Sequence, residues 1–293
     1  MHALWDDIWG LRGYADAITI ATQLGHPAAA DAYRASRAAF SAAVQRALTR
    51  SMAAHGIDTV PGAFDLGDFD ATSTTVALSP GTGGEDLPAA ALERTFARYW
   101  QFFLDRRDGR LAWDVYTPYE WRNVGALVRL GQRERALTAL AWFFAARRPG
   151  PWNQWPEVVT RDPAEVRFIG DLPHGWVASD FLRAALDLYA YDDSAHGTVV
   201  LGAGLPRDWL EGHGVTVTHL ATPWGPLSYR ARRVGARIEV SLSEVPAAPG
   251  GLVLDFPGVR DAAMAVVDGV RRPTEHGRLR LSQPAHHLYF ESE

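Results

Sequence analysis

Two hydrophobic rhythms divide the 293-residue chain. Up to about residue 190, apolar side chains recur every three to four positions, the period of an amphipathic helix. Ile8, Leu11, Tyr14, Ala15, Ile18, Ala21 and Leu24 make the first such stripe. Gly25 supplies a left-handed stop, and Pro27 suits the first turn of a second helix over 28–54, which Gly56 ends. Together they predict a helical hairpin. Residues 57–70 read as loop, with Pro61-Gly62 as turn chemistry. Asp70 or Thr72 caps a short helix to Leu78. Pro88 opens a long helix to Arg107, with Leu92, Phe96, Trp100 and Phe103 on one stripe. Asp108-Gly109 turns the chain. Pro118 starts a helix ending at Gly131, and 133–148 is its partner, broken by Pro149-Gly150-Pro151. The last helix is predicted over 174–191, giving about seven in all.

After Asp193 the rhythm changes to short alternating runs. They fall at 199–201, 215–220, 227–229, 238–242, 252–254, 264–267, 279–281 and 287–290, separated by Gly and Pro. That spacing predicts an antiparallel β-sandwich, with one helical turn near 205–210. Helices followed by strands argue for two units rather than an alternating α/β sheet. The expected domains are a helical-hairpin, catalytic-type domain over 1–195 and a β-sandwich over 196–293.

Composition narrows the function. With 47% hydrophobic and 22% charged residues the chain is globular in character. A net charge of -5 and no basic patch argue against nucleic acid as a partner. No stretch is long and apolar enough to predict a membrane span, so no membrane partner is expected. Residues 1–5 lack the basic start and apolar core of a signal peptide. Cysteine is absent, which excludes disulfides, thiolate nucleophiles and Cys-ligated zinc. Asp65, Asp68 and Asp70 lack the glycine and terminal glutamate of a calcium loop, so a solvated loop is the better reading. No cofactor and no metal ion are called for.

The chemistry-bearing stretch is Trp152-Asn153-Gln154-Trp155-Pro156-Glu157, continued to His174 and Trp176. It is long for a loop inside a compact domain, and such loops are usually functional or disordered. Three tryptophans make it too aromatic for disorder. Flat indoles stack on sugar faces, and a nearby carboxylate moves a proton at a glycosidic oxygen or at water. Equally, Trp152 and Trp155 plug a helix end and Glu157 is simply solvated. Trp113, Tyr119, Trp152, Trp155 and Trp176 are the candidate stacking platforms, each read singly as core, since Trp is mostly buried. Arg122 and His174 are candidates to bind hydroxyls, His174 alternatively to satisfy a helix start.

Several pieces resemble the six-hairpin, (α/α)6-barrel glycoside hydrolases of the α-L-rhamnosidase type. Residues 14–50 read like one of their hairpins. Tyr116-Thr117-Pro118-Tyr119-Glu120-Trp121-Arg122 resembles a barrel helix that begins with Thr-Pro-Tyr. Trp155-Pro156-Glu157 sits where those enzymes carry a Trp-Glu in the loop of the catalytic base. Leu172-Pro173-His174-Gly175-Trp176 stands at the start of their last barrel helix, and Thr222-Pro223-Trp224-Gly225 is similar to a turn of their sandwich. The resemblance implies a partial (α/α)6 toroid followed by a sandwich, and an inverting glycoside hydrolase acting on a plant or bacterial glycan. Six hairpins need twelve helices of about 15 to 20 residues each. About seven are predicted, so the chain is expected to be the C-terminal half of such an enzyme. Self-association, or a missing N-terminal half, then follows from the apolar faces left uncovered; light scattering reads this directly.

The same resemblance makes Glu157 the expected base. In those enzymes the acid commonly comes from the first half of the barrel, which this chain is expected to lack. Asp6 and Asp7, flanked by Trp5 and Trp9, are the local substitutes: adjacent carboxylates beside aromatics raise one pKa. The plainer reading is helix N-terminal charge. Trp5 and Asp6 are also candidates to touch substrate. Glu120, at another helix start, is a further candidate to act as acid or to hydrogen-bond a sugar hydroxyl, and equally a cap. Two alternatives stay open. One is a degenerate carbohydrate-binding or assembly protein that lost its acid. The other is a phosphorylase on the same fold, for which only Arg161 and Thr160 supply basic or hydroxyl groups near Glu157.

Overall fold

The computed structural model describes residues 1–147, 150–259, 262–282 and 285–291. Its seven α-helices precede most of its strands, so the chain is a mixed helical and antiparallel-sheet protein. The helices are α1 (Leu4–Gln23), α2 (Pro27–His55), α3 (Ala71–Thr74), α4 (Ala89–Arg107), α5 (Trp121–Arg129), α6 (Arg133–Ala145) and α7 (Gly175–Tyr189). The predicted punctuation sets their ends. Pro27 occupies the first turn of α2, and Gly56 closes it at φ 63°, a left-handed value that favours glycine. The Asp70 carboxylate caps α3 by accepting the Ser73 N–H at 2.9 Å. The helix α6 ends at Ala145, short of the expected Arg148, which with Pro149 lies outside the described residues. No helix among the described residues is long and apolar enough to cross a membrane.

Internal contacts divide the chain into two compact units. Unit 1 comprises Met1–Ala126 and Trp142–Ala178; unit 2 comprises Leu127–Ala141 and Ser179–Glu293. The divisions fall within α5, α6 and α7, whereas the change from helix to strand comes near residue 190.

In unit 1, α1 packs on α2 as the expected hairpin. Leu4, Ile8, Leu11 and Ala21 of α1 are buried, as are Val44 and Leu48 of α2. A second core is aromatic. Phe103 of α4, Tyr116, Trp121, Trp142, Phe143 and Trp155 meet with ring centres 5.0–5.9 Å apart in tilted or edge-on pairs. Such pairs add about 0.5–1.5 kcal/mol each to the burial of their area. Two short strands, β1 (Val115–Tyr116) and β2 (Val159–Thr160), pair antiparallel, with Tyr116 opposite Val159. This ladder ties the tryptophan loop to the segment that leads into α5.

In unit 2 the remaining strands are β3 (Ala190–Asp193), β4 (Thr198–Leu201), β5 (Val215–Thr222), β6 (Gly225–Val234), β7 (Arg237–Glu244), β8 (Leu252–Leu254), β9 (Met264–Val267), β10 (Val270–Pro273), β11 (Leu279–Leu281) and β12 (His287–Glu291). Six form an antiparallel sheet in the order β10-β9-β12-β7-β6-β5. Four form a second sheet, β11-β8-β4-β3, in which β4 and β8 run parallel. Both sheets send side chains into one apolar core, including Val199, Leu201 and Leu254 from one and Leu227, Val240 and Phe290 from the other. The strands β3 and β10 were not expected. β3 continues directly from α7, where apolar spacing alone extends the helix to Tyr191. β10 is a charged edge strand ending in Pro273, the kind of sequence that edges tolerate.

Candidate functional site

The expected site residues of unit 1 separate into two groups. The first surrounds Tyr119. Thr117 accepts the Tyr119 N–H at 3.4 Å, forming the start of a short 3-10 turn over Pro118–Glu120. The turn sends the phenol outward. In the segment that precedes β2, Trp155 is buried, packed edge-on against Trp121 at 5.2 Å, and donates its indole N–H to the Phe143 carbonyl at 3.1 Å. Pro156 is buried too, and Glu157 emerges next to it, exposed. The result is contact between residues 38 apart: the Tyr119 hydroxyl donates to Glu157 Oε1 at 3.1 Å.

His174, just before α7, completes this group. Its Nε2 lies 2.9 Å from the same hydroxyl. Since that hydroxyl donates to Glu157, the consistent tautomer has His174 Nε2–H donating to Tyr119. Asp171 joins from the turn before it. Its Oδ2 accepts the Glu157 backbone N–H at 2.8 Å and lies 3.4 Å from His174 Nδ1. Glu157, Asp171 and His174 thereby each place one potential ligand atom within 4.8 Å of the others. Asp171 was not anticipated; its only sequence signal is a carboxylate three residues before His174.

Rings flank the cluster. The Arg122 guanidinium sits 4.9 Å from the Trp5 ring centre, 4.8 Å from Tyr119 and 6.0 Å from Trp176. Trp176 is 58% exposed and meets Tyr119 edge-on at 5.8 Å. Trp5 is half-buried. Two turns of chain far apart in sequence, at residue 5 and residue 176, therefore share one cation.

Asp6 and Asp7 lie in the first turn of α1, where the helix dipole favours acids. Asp6 is exposed and Asp7 half-buried. Burial, reinforced by the Asp6 charge and opposed by His2, raises the Asp7 pKa from its ordinary value. A raised pKa is the property expected of a general acid.

The second group turns inward. Glu120 is buried, its two oxygens accepting from Arg106 Nη1 and Nη2 at 2.6 and 2.7 Å, and Oε2 also accepting from the Tyr99 hydroxyl at 2.8 Å. Its carboxylate is thus committed to a buried ion pair, a correction to its reading as an acid or cap. Of its two readings, Trp155 fits the plug and not the stacking platform: at 3% exposure it anchors the loop and offers no face to a ligand. Trp113 is half-buried and packs edge-on against Tyr116 and Trp142 at 5.8 and 6.0 Å, as part of the aromatic core. Trp152 belongs to neither group and is 61% exposed.

Unit 2 holds a cleft of about 450 Å³ lined by Arg129, Leu182, Leu186, Asp187, Tyr191 and Leu220 among others, and none of the expected site residues lines it. No family model matches the sequence, and no curated protein matches it.

Proposed function

We propose that unit 1 carries a saccharide site at Tyr119, Glu157, His174 and Trp176, and that it acts in glycoside hydrolysis, with inversion and on α-L-rhamnoside-like linkages. The observation that carries this reading is the Tyr119 hydroxyl, hydrogen-bonded to Glu157 and in contact with His174 beside an exposed indole. Exposed Trp176 offers a stacking face, and the tyrosine orients a carboxylate open to solvent. In this reading Glu157 is the base, Asp7 with its raised pKa the acid, and Arg122 a donor to hydroxyls. The same reading takes the helical hairpins as part of an (α/α)6 toroid and the two sheets as a sandwich. The sheets' shared core supports the latter.

Sugar binding without turnover is the second reading. It is favoured by Glu120, which is locked in an ion pair, and by Asp171, which is too near Glu157. Their ligand atoms lie within 4.8 Å, short of the roughly 6.5–9.5 Å that an inverting pair leaves for water. A panel of aryl glycosides, with and without phosphate, separates the two. Hydrolysis predicts phosphate-independent turnover that falls about 100-fold or more in Glu157→Gln, the size of a general-base contribution. Equal turnover by the variant removes Glu157 from the mechanism. Binding without turnover selects the second reading.

A further inference from the structure

We propose that Glu157, Asp171 and His174 bind a divalent transition-metal ion of the zinc class. The set is mixed, with one imidazole and two carboxylates, and an imidazole nitrogen favours zinc, copper, nickel or iron over calcium or magnesium. The ligand atoms converge within 4.8 Å.

One distance matches the geometry of such a site. His174 Nδ1 and Asp171 Oδ2 are 3.4 Å apart. An N–H···O hydrogen bond spans about 2.7–3.2 Å. The edge of a tetrahedron with metal–ligand bonds of about 2.1 Å measures about 3.4 Å. That spacing suits two ligands of one ion as well as an ion pair.

The surrounding bonds fit as well. A ligating histidine usually donates its other ring N–H to a fixed partner, which sets the tautomer. His174 Nε2 lies 2.9 Å from the Tyr119 hydroxyl, leaving the Nδ1 lone pair on the side of Asp171. Tyr119 in turn holds Glu157 Oε1, and Oε2 remains to ligate. Asp171 Oδ2 is fixed by the Glu157 N–H, with Oδ1 and a further lone pair left over. Charge points the same way. Among the described residues no arginine pairs with either carboxylate, so two like charges stand close together beside His174. A bound cation relieves that repulsion. Three protein ligands would leave the fourth position to water, because both carboxylates are exposed.

This proposal shares Glu157 with the hydrolytic reading but does not rest on it. As a base, Glu157 acts on water directly; as a ligand, it holds an ion that acidifies that water. Calorimetric titration of the chelator-treated full chain with Zn²⁺, Mn²⁺, Ca²⁺ and Mg²⁺ reads binding without any substrate. One equivalent of Zn²⁺ is expected, bound at least tenfold more tightly than Ca²⁺ or Mg²⁺. His174→Ala and Asp171→Ala should each weaken Zn²⁺ by 100-fold or more. Tyr119→Phe, which removes no ligand, should weaken it about tenfold through the lost outer partner. Co²⁺ should give the visible absorption of a tetrahedral ion, and His174→Ala should abolish it. Absence of Zn²⁺ binding overturns the proposal. So does Zn²⁺ binding that survives His174→Ala unchanged, or equal affinity for Ca²⁺. Far-ultraviolet dichroism confirms that each variant keeps its fold.

Discussion

Replacing Glu120 with Gln separates a structural carboxylate from a reacting one. In the native protein the carboxylate lies against Arg106, which is 3% exposed and ringed by Phe102, Phe103, Tyr116 and Trp142 at 4.8–6.0 Å from their centres. The guanidinium Nε has no acceptor among the described residues, so Glu120 is its principal compensation. A glutamine leaves one oxygen to accept and turns an NH2 toward a guanidinium N–H. Breaking a buried pair from one side costs about 3–5 kcal/mol, because a charge stays buried without its counterion. With a urea slope of about 2.5 kcal/mol/M, the midpoint should fall by about 1–2 M. Tryptophan fluorescence follows it, since Trp142 packs beside the pair. The double variant Arg106→Met with Glu120→Leu should recover at least half of the loss, because removing both charges also removes their desolvation. The Tyr99 hydroxyl then lacks its acceptor, which costs about 1–3 kcal/mol. A Glu120→Gln midpoint equal to that of the wild type, together with lost glycoside turnover, would refute this account and return Glu120 to the chemistry.

Trp155→Ala should destabilise by about 3–5 kcal/mol in denaturant titration, the cost of emptying a buried indole site. Trp152→Ala should stay within about 0.5 kcal/mol, since Trp152 is exposed; similar losses in both would contradict the assignment of Trp155 as the anchor. The raised Asp7 pKa makes the protonated form the one that folding favours. Its stabilising contribution is therefore full below the ordinary carboxylate pKa and is lost as pH rises through the folded value. Asp7→Asn should raise Tm at neutral pH relative to wild type and leave it unchanged near the acid end; a lower Tm at neutral pH would show that the helix dipole outweighs burial.

Much of the helical layout was legible because its signals are local. Gly25, Pro27, Gly56 and Pro88 act within a turn of where they stand, and each helix end they mark lies within a residue or two of the predicted one. The strands β3 and β10 escaped because their pairing, not their composition, makes them strands: β3 is polar and β10 is charged. The site was half legible. Tyr119, Glu157 and His174 stood out as residue types, but their meeting depends on a two-residue ladder, which no periodicity announces. Asp171 had no signal beyond its distance from His174. The acid role of Glu120 and the stacking role of Trp155 fail for one reason. Sequence shows that a residue is charged or aromatic, but whether it faces solvent depends on partners such as Arg106 and Trp121 that only the fold supplies.

The most direct test is tryptophan emission during titration with a saccharide panel, in wild type, Trp176→Ala and Trp152→Ala. A sugar stacked at Trp176 predicts a saturable change in wild type and in Trp152→Ala that is absent from Trp176→Ala. No change with any saccharide, or an undiminished one in Trp176→Ala, would contradict a saccharide site beside Tyr119 and Glu157.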